Sequence, residues 1–211
     1  MSKMKKMSEN PIDPESRILE AANKVFLKHG VDGATMLQIA DEAGISRTSL
    51  HYYFRNKSRL FEKVLETIQS KFVPALSKII DADVPVFSKI EMFVNKYIEL
   101  IIDNPMIPGF LLIEMQRDAE WVINLYRAKN LNFEGLHQQI AKEVEEGIIK
   151  PFKLEDLFAN LMGMSLFPLL SKPIFMEFFF DHKEKEFYDF MISRKQGIIA
   201  VIENWLKPSP C

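Results

Sequence analysis

Hydrophobic residues recur every three or four positions along most of the chain, and no convincing stretch alternates between apolar and polar residues as a β-strand does. This pattern predicts an all-α fold. The expected helices cover about 14–30, 36–43, 46–53, a long segment from 57 onward, 86–103, 105–117, 119–146, 154–170 and 184–206. A loop over 173–182 is expected before the last of them. The chain should therefore consist of two helical parts joined through one long helix.

Capping signals support three of these helix starts. Asp13 precedes Pro14, a residue that suits the first helical position, and the Asp13 carboxylate can cap the helix. Thr35 and Gln38 have the spacing of a capping box. Ser46 is placed to cap the third helix. These signals indicate short, well-delimited helices in the N-terminal part.

The second and third helices together have the pattern of a helix-turn-helix. Gly44 suits the turn between them because glycine reaches the backbone angles that end a helix, and Ala40 is small where the two helices approach. Leu50 is placed to close the joint from the inside. The outer face of the third helix carries side chains of the kind that read base edges in a major groove, namely Arg47, Thr48, Ser49, His51 and Tyr52.

The distribution of charge changes what the overall composition indicates. The chain has 211 residues, 47% of them hydrophobic, and a net charge of −2, which taken alone argues against a nucleic-acid partner. Residues 1–60, however, contain ten Lys and Arg against seven Asp and Glu, a net charge of +3, and the remainder has a net charge of −5. Arg55, Lys57 and Arg59 surround the start of the fourth helix. A phosphate there would meet basic side chains and free N–H groups together.

Other kinds of function find little support. The four histidines lack the spacing of a metal site, and no phosphate-binding loop or nucleophile motif occurs, so we expect no enzyme, no catalytic residues, no metal and no cofactor. Cys211 is the single cysteine, which excludes an intrachain disulfide. The N-terminus lacks the apolar core of a signal peptide, and the apolar stretch at 157–180 is broken by prolines and charges. We therefore expect a cytoplasmic protein with no membrane partner.

Residues 13–62 resemble the DNA-binding domain of the TetR family of transcriptional regulators. The residues that carry the resemblance are Ile18-Leu19-Glu20-Ala21-Ala22, Phe26, Gly30, Thr35, Ile39-Ala40, Ala43-Gly44-Ile45-Ser46, Leu50, Tyr53-Phe54, Asn56-Lys57 and Leu60-Phe61. The resemblance implies a homodimer with a helix-turn-helix DNA-binding domain at 13–58 and a ligand-binding and dimerisation domain at 59–211. Its partners would be double-stranded DNA with a near-palindromic operator and a small-molecule effector. The Lys- and Ser-rich residues 1–12 before these domains are expected to form a flexible basic arm.

The resemblance also implies roles for single residues. Thr35 and Lys57 are expected to contact phosphates. The residues expected to face the groove and its rims are Ser46, Arg47, Thr48, Tyr52 and Tyr53. His51 stands where the family usually has a phosphate-contacting Tyr, and its ring can still donate to a phosphate with a different geometry. Thr48 stands where the family often has Gly, so the base preferences of relatives do not transfer.

The last two predicted helices suggest a dimer interface. Apolar residues of the last helix follow one another at gaps of four and three, with Arg194 filling one step, which is the spacing of a helix-packing seam. Two such helices from each chain would form a four-helix interface. The residues expected there are Leu157, Leu161, Phe187, Met191, Ile198, Val201 and Trp205. The alternative is an intrachain core. The apolar run at 175–180 would either pack on the partner subunit or close the ligand pocket.

Residues 106–133 are rich in large, adaptable side chains that suit a pocket for an apolar or aromatic molecule. The candidates are Met106, Phe110, Met115, Trp121, Tyr126 and Phe133, for each of which a place in the core is the alternative. Together with the resemblance to the TetR family, this composition implies a DNA-binding transcriptional regulator, a repressor that is released by a small apolar or aromatic ligand. The other reading is a ligand-binding or protein-interaction module whose helix-turn-helix no longer reads DNA.

Overall fold

The computed structural model describes residues 13–120, 123–124 and 131–208. The predicted arm at 1–12, the pocket candidates Trp121 and Tyr126, and Cys211 lie outside these ranges. Ten helices lie entirely within them: α1 Pro14–Gly33, α2 Met36–Ala43, α3 Arg47–Tyr53, α4 Lys57–Ile80, α5 Val86–Asp103, α6 Met106–Arg117, α7 Phe133–Glu145, α8 Leu154–Leu170, α9 Lys172–Phe178 and α10 Glu184–Leu206. The described ranges contain no strand, and the predicted all-α fold is confirmed.

The helix starts in the N-terminal part follow the sequence signals with one exception. The capping box at Thr35 is present, because its hydroxyl accepts from the backbone N–H of Gln38 at 3.2 Å and its own N–H donates to the Gln38 side chain at 2.8 Å. Ser46 caps α3 by accepting from the N–H of Ser49 at 3.0 Å. The exception is Asp13, which stands at the cap position of α1 but makes no side-chain capping bond.

The N-terminal unit extends further along the chain than predicted. The two compact units meet between Ile68 and Gln69 rather than at residues 58 and 59. The reason is that the first turns of α4 belong to the N-terminal core: Phe61 is 1% exposed, and its ring lies edge-on to Phe26 with the centroids 5.0 Å apart. The other core-forming residues of that segment are Leu60, Val64 and Leu65.

The C-terminal unit is built around α5, α8 and α10. Val94 and Ile98 of α5 are fully buried in one cluster with Phe187 and Met191 of α10. Leu161 of α8 joins the same cluster. Among the described residues no single helix is long and apolar enough to cross a membrane; α8 and α9, bent by 64° at their junction, meet that test only as a pair, by length and composition.

Two predicted elements of this unit are wrong in extent. The expected helix at 119–146 is interrupted, because residues 131–132 are not helical and α7 starts at Phe133. Asn132 caps α7 by accepting from the N–H of Gly135 at 3.0 Å. The expected loop at 173–182 begins with a helix, α9, since Pro173 stands in its first turn, where proline is favourable.

Candidate nucleic-acid interface and ligand cleft

The joint between α2 and α3 holds the third helix in place. Gly44 adopts a left-handed conformation, with φ of 65°, which ends α2 and turns the chain. The guanidinium of Arg17 donates to the carbonyl oxygen of Ala43 at 2.8 Å and so satisfies the C-terminal end of α2. Leu50 is fully buried beneath the joint and Ala40 is 1% exposed. The inner face of α3 is therefore fixed by packing.

The outer face of α3 points to solvent. Arg47, Thr48 and Ser49 are exposed, and the Tyr52 side chain is 85% exposed. Tyr52 lies edge-on to Tyr53, with the ring centroids 5.4 Å apart. Within the described ranges the side chains of Arg47 and Thr48 have no hydrogen-bond or ion-pair partner. This face keeps the hydrogen-bonding capacity that base edges require.

Lys57 has a structural contact that the sequence did not reveal. Its ammonium donates to the carbonyl oxygens of Asp32 at 2.9 Å and Ala34 at 3.0 Å. Gly30 interrupts the helical conformation of α1 with a φ of 69°. Lys57 therefore connects the start of α4 to the residues that follow this interruption. An ammonium has three N–H donors, so one remains for a phosphate.

Thr35 and His51, the other predicted phosphate contacts, also bind the protein itself. The Thr35 hydroxyl takes part in the capping box. The His51 ring nitrogen Nδ1 lies 3.3 Å from the carbonyl oxygen of Arg55, and because a carbonyl only accepts, Nδ1 is the donor. The opposite nitrogen, Nε2, stays available to an outside group. Whether these residues touch DNA remains a prediction.

The start of α4 is partly capped by the protein. The Asn56 side chain accepts from the backbone N–H of Arg59 at 2.9 Å. The sequence predicts free N–H groups at this helix start, but this N–H is already bonded and is not available to a phosphate. The side chains of Arg55 and Arg59 are exposed and form no ion pair with another described residue. They belong with Arg47 to the basic side chains of this unit. The sequence indicates them as well, because residues 47–59 contain four basic residues and no acidic one.

The predicted dimer seam is corrected for most of its residues. Leu157 and Leu161 are each 6% exposed, and Phe187, Met191 and Ile198 are fully buried within the single chain. These five residues form the intrachain core, so they are not available to a partner subunit.

The two remaining seam residues lie elsewhere because of helix periodicity. Val201 is 54% exposed, and Trp205 is half-buried against Phe152. The residues buried in their place are Ile202 and Leu206, which sequence reasoning missed. A straight helix has 3.6 residues per turn, so a strict alternation of four and three drifts off the buried face by about 20° per heptad.

An apolar cleft of about 470 Å³ lies within the C-terminal unit. It is enclosed by the last turns of α4 and by α5, α7 and α8, with side chains such as Ile79, Phe93 and Ile140 on its walls. Of the predicted pocket residues that the structure describes, Phe133 lines it. Met106 and Phe110 lie on α6 and are not among the residues that line this cleft, and Met115 is 49% exposed.

Known proteins resemble this chain in sequence and in fold. Residues 18–64 match the model of the bacterial regulatory proteins of the tetR family. The chain is 33% identical over 102 residues to the transcriptional regulator RutR of Escherichia coli, which is 48% of each chain. It is 26% identical over 101 residues to an uncharacterized HTH-type transcriptional regulator of Haemophilus influenzae, covering 48% of this chain and 54% of that one. The chain spans about half the length of these curated relatives.

The fold similarity extends over nearly the whole chain. The crystal structure of the transcriptional regulator FadR from Bacillus subtilis, in complex with stearoyl-CoA, has a TM-score of 0.64 with this protein. The match covers 90% of this chain and 97% of FadR at 13% identity. The relatives in Escherichia coli and Haemophilus influenzae and the structural neighbour FadR are all transcriptional regulators. The helix-turn-helix and the family match together show that residues 18–64 are similar to the bacterial regulatory proteins of the tetR family, and the shared fold extends over nearly the whole chain.

Proposed function

We propose that this protein is a sequence-specific regulator of transcription, a repressor that binds double-stranded DNA and that a small ligand releases. The outer face of α3 is the observation that supports this most directly. Arg47, Thr48 and Tyr52 project from a helix that Leu50 anchors on its buried side. Side chains of these types bind base edges when their helix lies in a major groove. As a DNA-binding regulator of transcription, the protein acts in the cytoplasm.

The charge of the N-terminal unit favours the same partner. Arg47, Arg55 and Arg59 are exposed and have no ion-pair partner among the described residues. Phosphate contacts from such side chains supply most of the sequence-independent affinity for DNA and make it salt-dependent. Arginines paired with acidic residues of the same chain would contribute less to binding DNA phosphates.

We propose a homodimer that forms through the exposed sides of α8 and α10. Phe167 and Val201 are 62% and 54% exposed, although both are large and apolar. Gly163 and Gly197 stand in the middle of these two helices, and among the described residues no side chain and no other helix comes within 4 Å of the position that a Cβ would take. Glycine destabilises a helix interior by about 0.5–1 kcal/mol, and a helix without a side chain at that point allows a second helix to approach closely, so these two positions favour contact with a second chain.

The dimer explains how an operator would be recognised. Two copies of α3 related by a two-fold axis would bind successive major grooves about 34–36 Å apart, so the operator is near-palindromic. A ligand in the C-terminal cleft that prefers a different spacing of the two helices weakens DNA binding by its differential affinity for the two states. The cleft is of the size and apolar character that small-molecule sites have. FadR, which shares this fold, binds stearoyl-CoA.

A mobility-shift titration on the DNA that flanks the protein's own gene tests the proposal. We expect a complex that unlabelled copies of the same DNA displace and unrelated DNA does not. Its affinity should fall linearly with salt on logarithmic axes. A protein that no longer reads DNA would show neither sequence preference nor salt dependence, and that result would overturn the proposal.

A further inference from the structure

The C-terminal cleft contains one feature that its apolar lining does not explain. Lys89 of α5 lines the cleft and is only 7% exposed. The other two polar residues of the lining, His137 and Glu155, are exposed. Lysine is rarely buried unless its charge is paired, because removing an ammonium from water is costly. Lys89 is thus the one charged residue that is buried among the described residues of the lining.

Among the residues that the structure describes, the partners of the Lys89 ammonium are two neutral oxygens. It donates to the carbonyl oxygen of Ile80 at 2.5 Å and to the side-chain oxygen of Gln139 at 2.5 Å. Among the described residues no carboxylate forms an ion pair with it. Two of its three N–H donors are therefore committed, and neither bond neutralises its charge.

The nearby carboxylate of Glu143 is already committed to other groups. Both of its oxygens accept from the backbone N–H of Val86, at 2.9 and 3.1 Å, and one also accepts from the Gln139 amide at 2.8 Å. The second N–H of that amide donates to the carbonyl oxygen of Val84 at 2.8 Å. Gln139 is held between Glu143 and Lys89, so the acid stays separated from the ammonium by an amide.

We propose that the cleft binds a molecule with an apolar body and a single carboxylate, and that the Lys89 ammonium pairs with this carboxylate. The inference rests on the proposed function and specifies the chemical class of its ligand. An anion beside the ammonium interacts strongly in apolar surroundings, and it supplies the charge that Ile80 and Gln139 do not. The remaining N–H donor can bind one carboxylate oxygen.

The rest of the lining favours a carboxylate over a phosphate. A phosphate monoester carries close to two negative charges and three strong acceptor oxygens, which need several cations or N–H groups. The cleft offers one buried cation, and Glu155 at its exposed side adds a negative charge. A singly charged group on an apolar chain or ring matches this lining.

Calorimetric titration with octanoate and octanol tests the assignment, because the two probes share an apolar chain and differ in the charged group. The wild-type protein should bind octanoate about tenfold or more tightly than octanol, the ratio expected for a hydrogen bond to a charged group. Lys89→Met should remove that preference and keep octanol binding. Lys96→Met is the matched control on α5, since this lysine is half exposed and lies outside the cleft lining, and it should keep the preference.

A second measurement needs no variant. The carboxyl carbon of labelled octanoate can be titrated by NMR in complex with the wild-type protein. Pairing with an ammonium lowers the pKa of the bound acid below that of free octanoate, whereas burial without a cation raises it. Four results would overturn the inference. The wild-type protein could bind the two probes equally or bind neither, the preference for octanoate could survive Lys89→Met, or the pKa of the bound acid could be raised. DNA binding without probes is measured separately, so its failure would instead contradict the proposed function.

Discussion

The ammonium of Lys57 lies 2.9 Å from the carbonyl oxygen of Asp32, and this contact joins the first residue of α4 to the end of α1. The sequence assigned Lys57 to phosphate binding alone. Its second bond, to the carbonyl oxygen of Ala34, shows that the side chain also closes the N-terminal unit. A phosphate contact made by Lys57 would therefore start from a side chain that is already oriented, with less conformational entropy to lose.

Lys57→Ala should weaken binding to all DNA sequences to a similar extent and reduce the salt dependence of the affinity by about one ion. It should also lower the free energy of unfolding by about 1–2 kcal/mol, because two carbonyl oxygens lose a charged donor. Salt-dependent DNA titrations and urea denaturation measure the two effects. Lys28→Ala, at an exposed site on α1, is the control and should change neither. Unchanged stability would show that the two backbone contacts do not matter.

Arg47→Ala should relax sequence specificity. Arg47 lies on the free outer face of α3, where an arginine can bind a base edge, and loss of such a contact costs about 1–3 kcal/mol at the base pair that it reads. Competition between operator variants changed at single base pairs measures this. A uniform loss of affinity for every sequence would mean that Arg47 binds phosphate instead.

Gly44→Ala should destabilise the helix-turn-helix by about 1–2 kcal/mol, because a residue with a Cβ pays that cost at a φ of 65°. The added methyl group would lie 3.8 Å from the Arg17 guanidinium, which is an ordinary contact, so the backbone accounts for the whole effect. Thermal unfolding followed by circular dichroism measures it. The control is Gly33→Ala, at a position without a positive φ, where we expect a change within about 0.5 kcal/mol.

Val201→Glu should dissociate the proposed dimer and leave the chain folded, because the side chain is half exposed in the single chain and its replacement does not disturb the core. Light scattering after size-exclusion chromatography should show the mass of the dimer for the wild type and of one chain for the variant. Lys185→Glu, at an exposed site on the same helix, should retain the wild-type mass. A monomeric wild type would contradict the interface.

Acidification should weaken one link between α5 and α10. A hydrogen bond from the Lys195 ammonium, 2.9 Å long, holds the pKa of Glu99 below its ordinary value of 4.5. A carboxyl group whose pKa is lower in the folded than in the unfolded protein stabilises the fold at any pH above its unfolded pKa. This contribution disappears as the pH falls through the folded pKa. Stability should therefore decline as the pH falls below about 4.5.

The size of this effect is limited by exposure. The Glu99 carboxylate is half exposed and screened by water, so the contribution is a few tenths of a kcal/mol. Lys195→Met should return the pKa of Glu99 toward its ordinary value in an NMR titration of the carboxyl groups, and Lys185→Met should not. If the pKa of Glu99 stays as low in the Lys195 variant as in the wild type, groups other than Lys195 lower it.

Most helix boundaries could be predicted from the sequence because their causes are local. The capping box at Thr35, the cap at Ser46 and the glycine at position 44 act within one turn of the chain, and the structure confirms all three. The bounds of α8 and α10 follow directly from apolar periodicity. The cluster of basic residues at 47–59 can likewise be recognised from the sequence alone, because these residues are close together in the chain.

The partner of each apolar or charged side chain depended on contacts between residues far apart in the chain. Periodicity shows which side of α10 is apolar, but whether Phe187 faces its own core or a second chain is set by α5 and α8. For the same reason Val201 is exposed where a seam was expected, and Phe133 lines a cleft that Met115 does not reach. The positions of Lys57 and Lys89 beside backbone carbonyls are likewise tertiary facts, because their acceptors come from other segments of the chain.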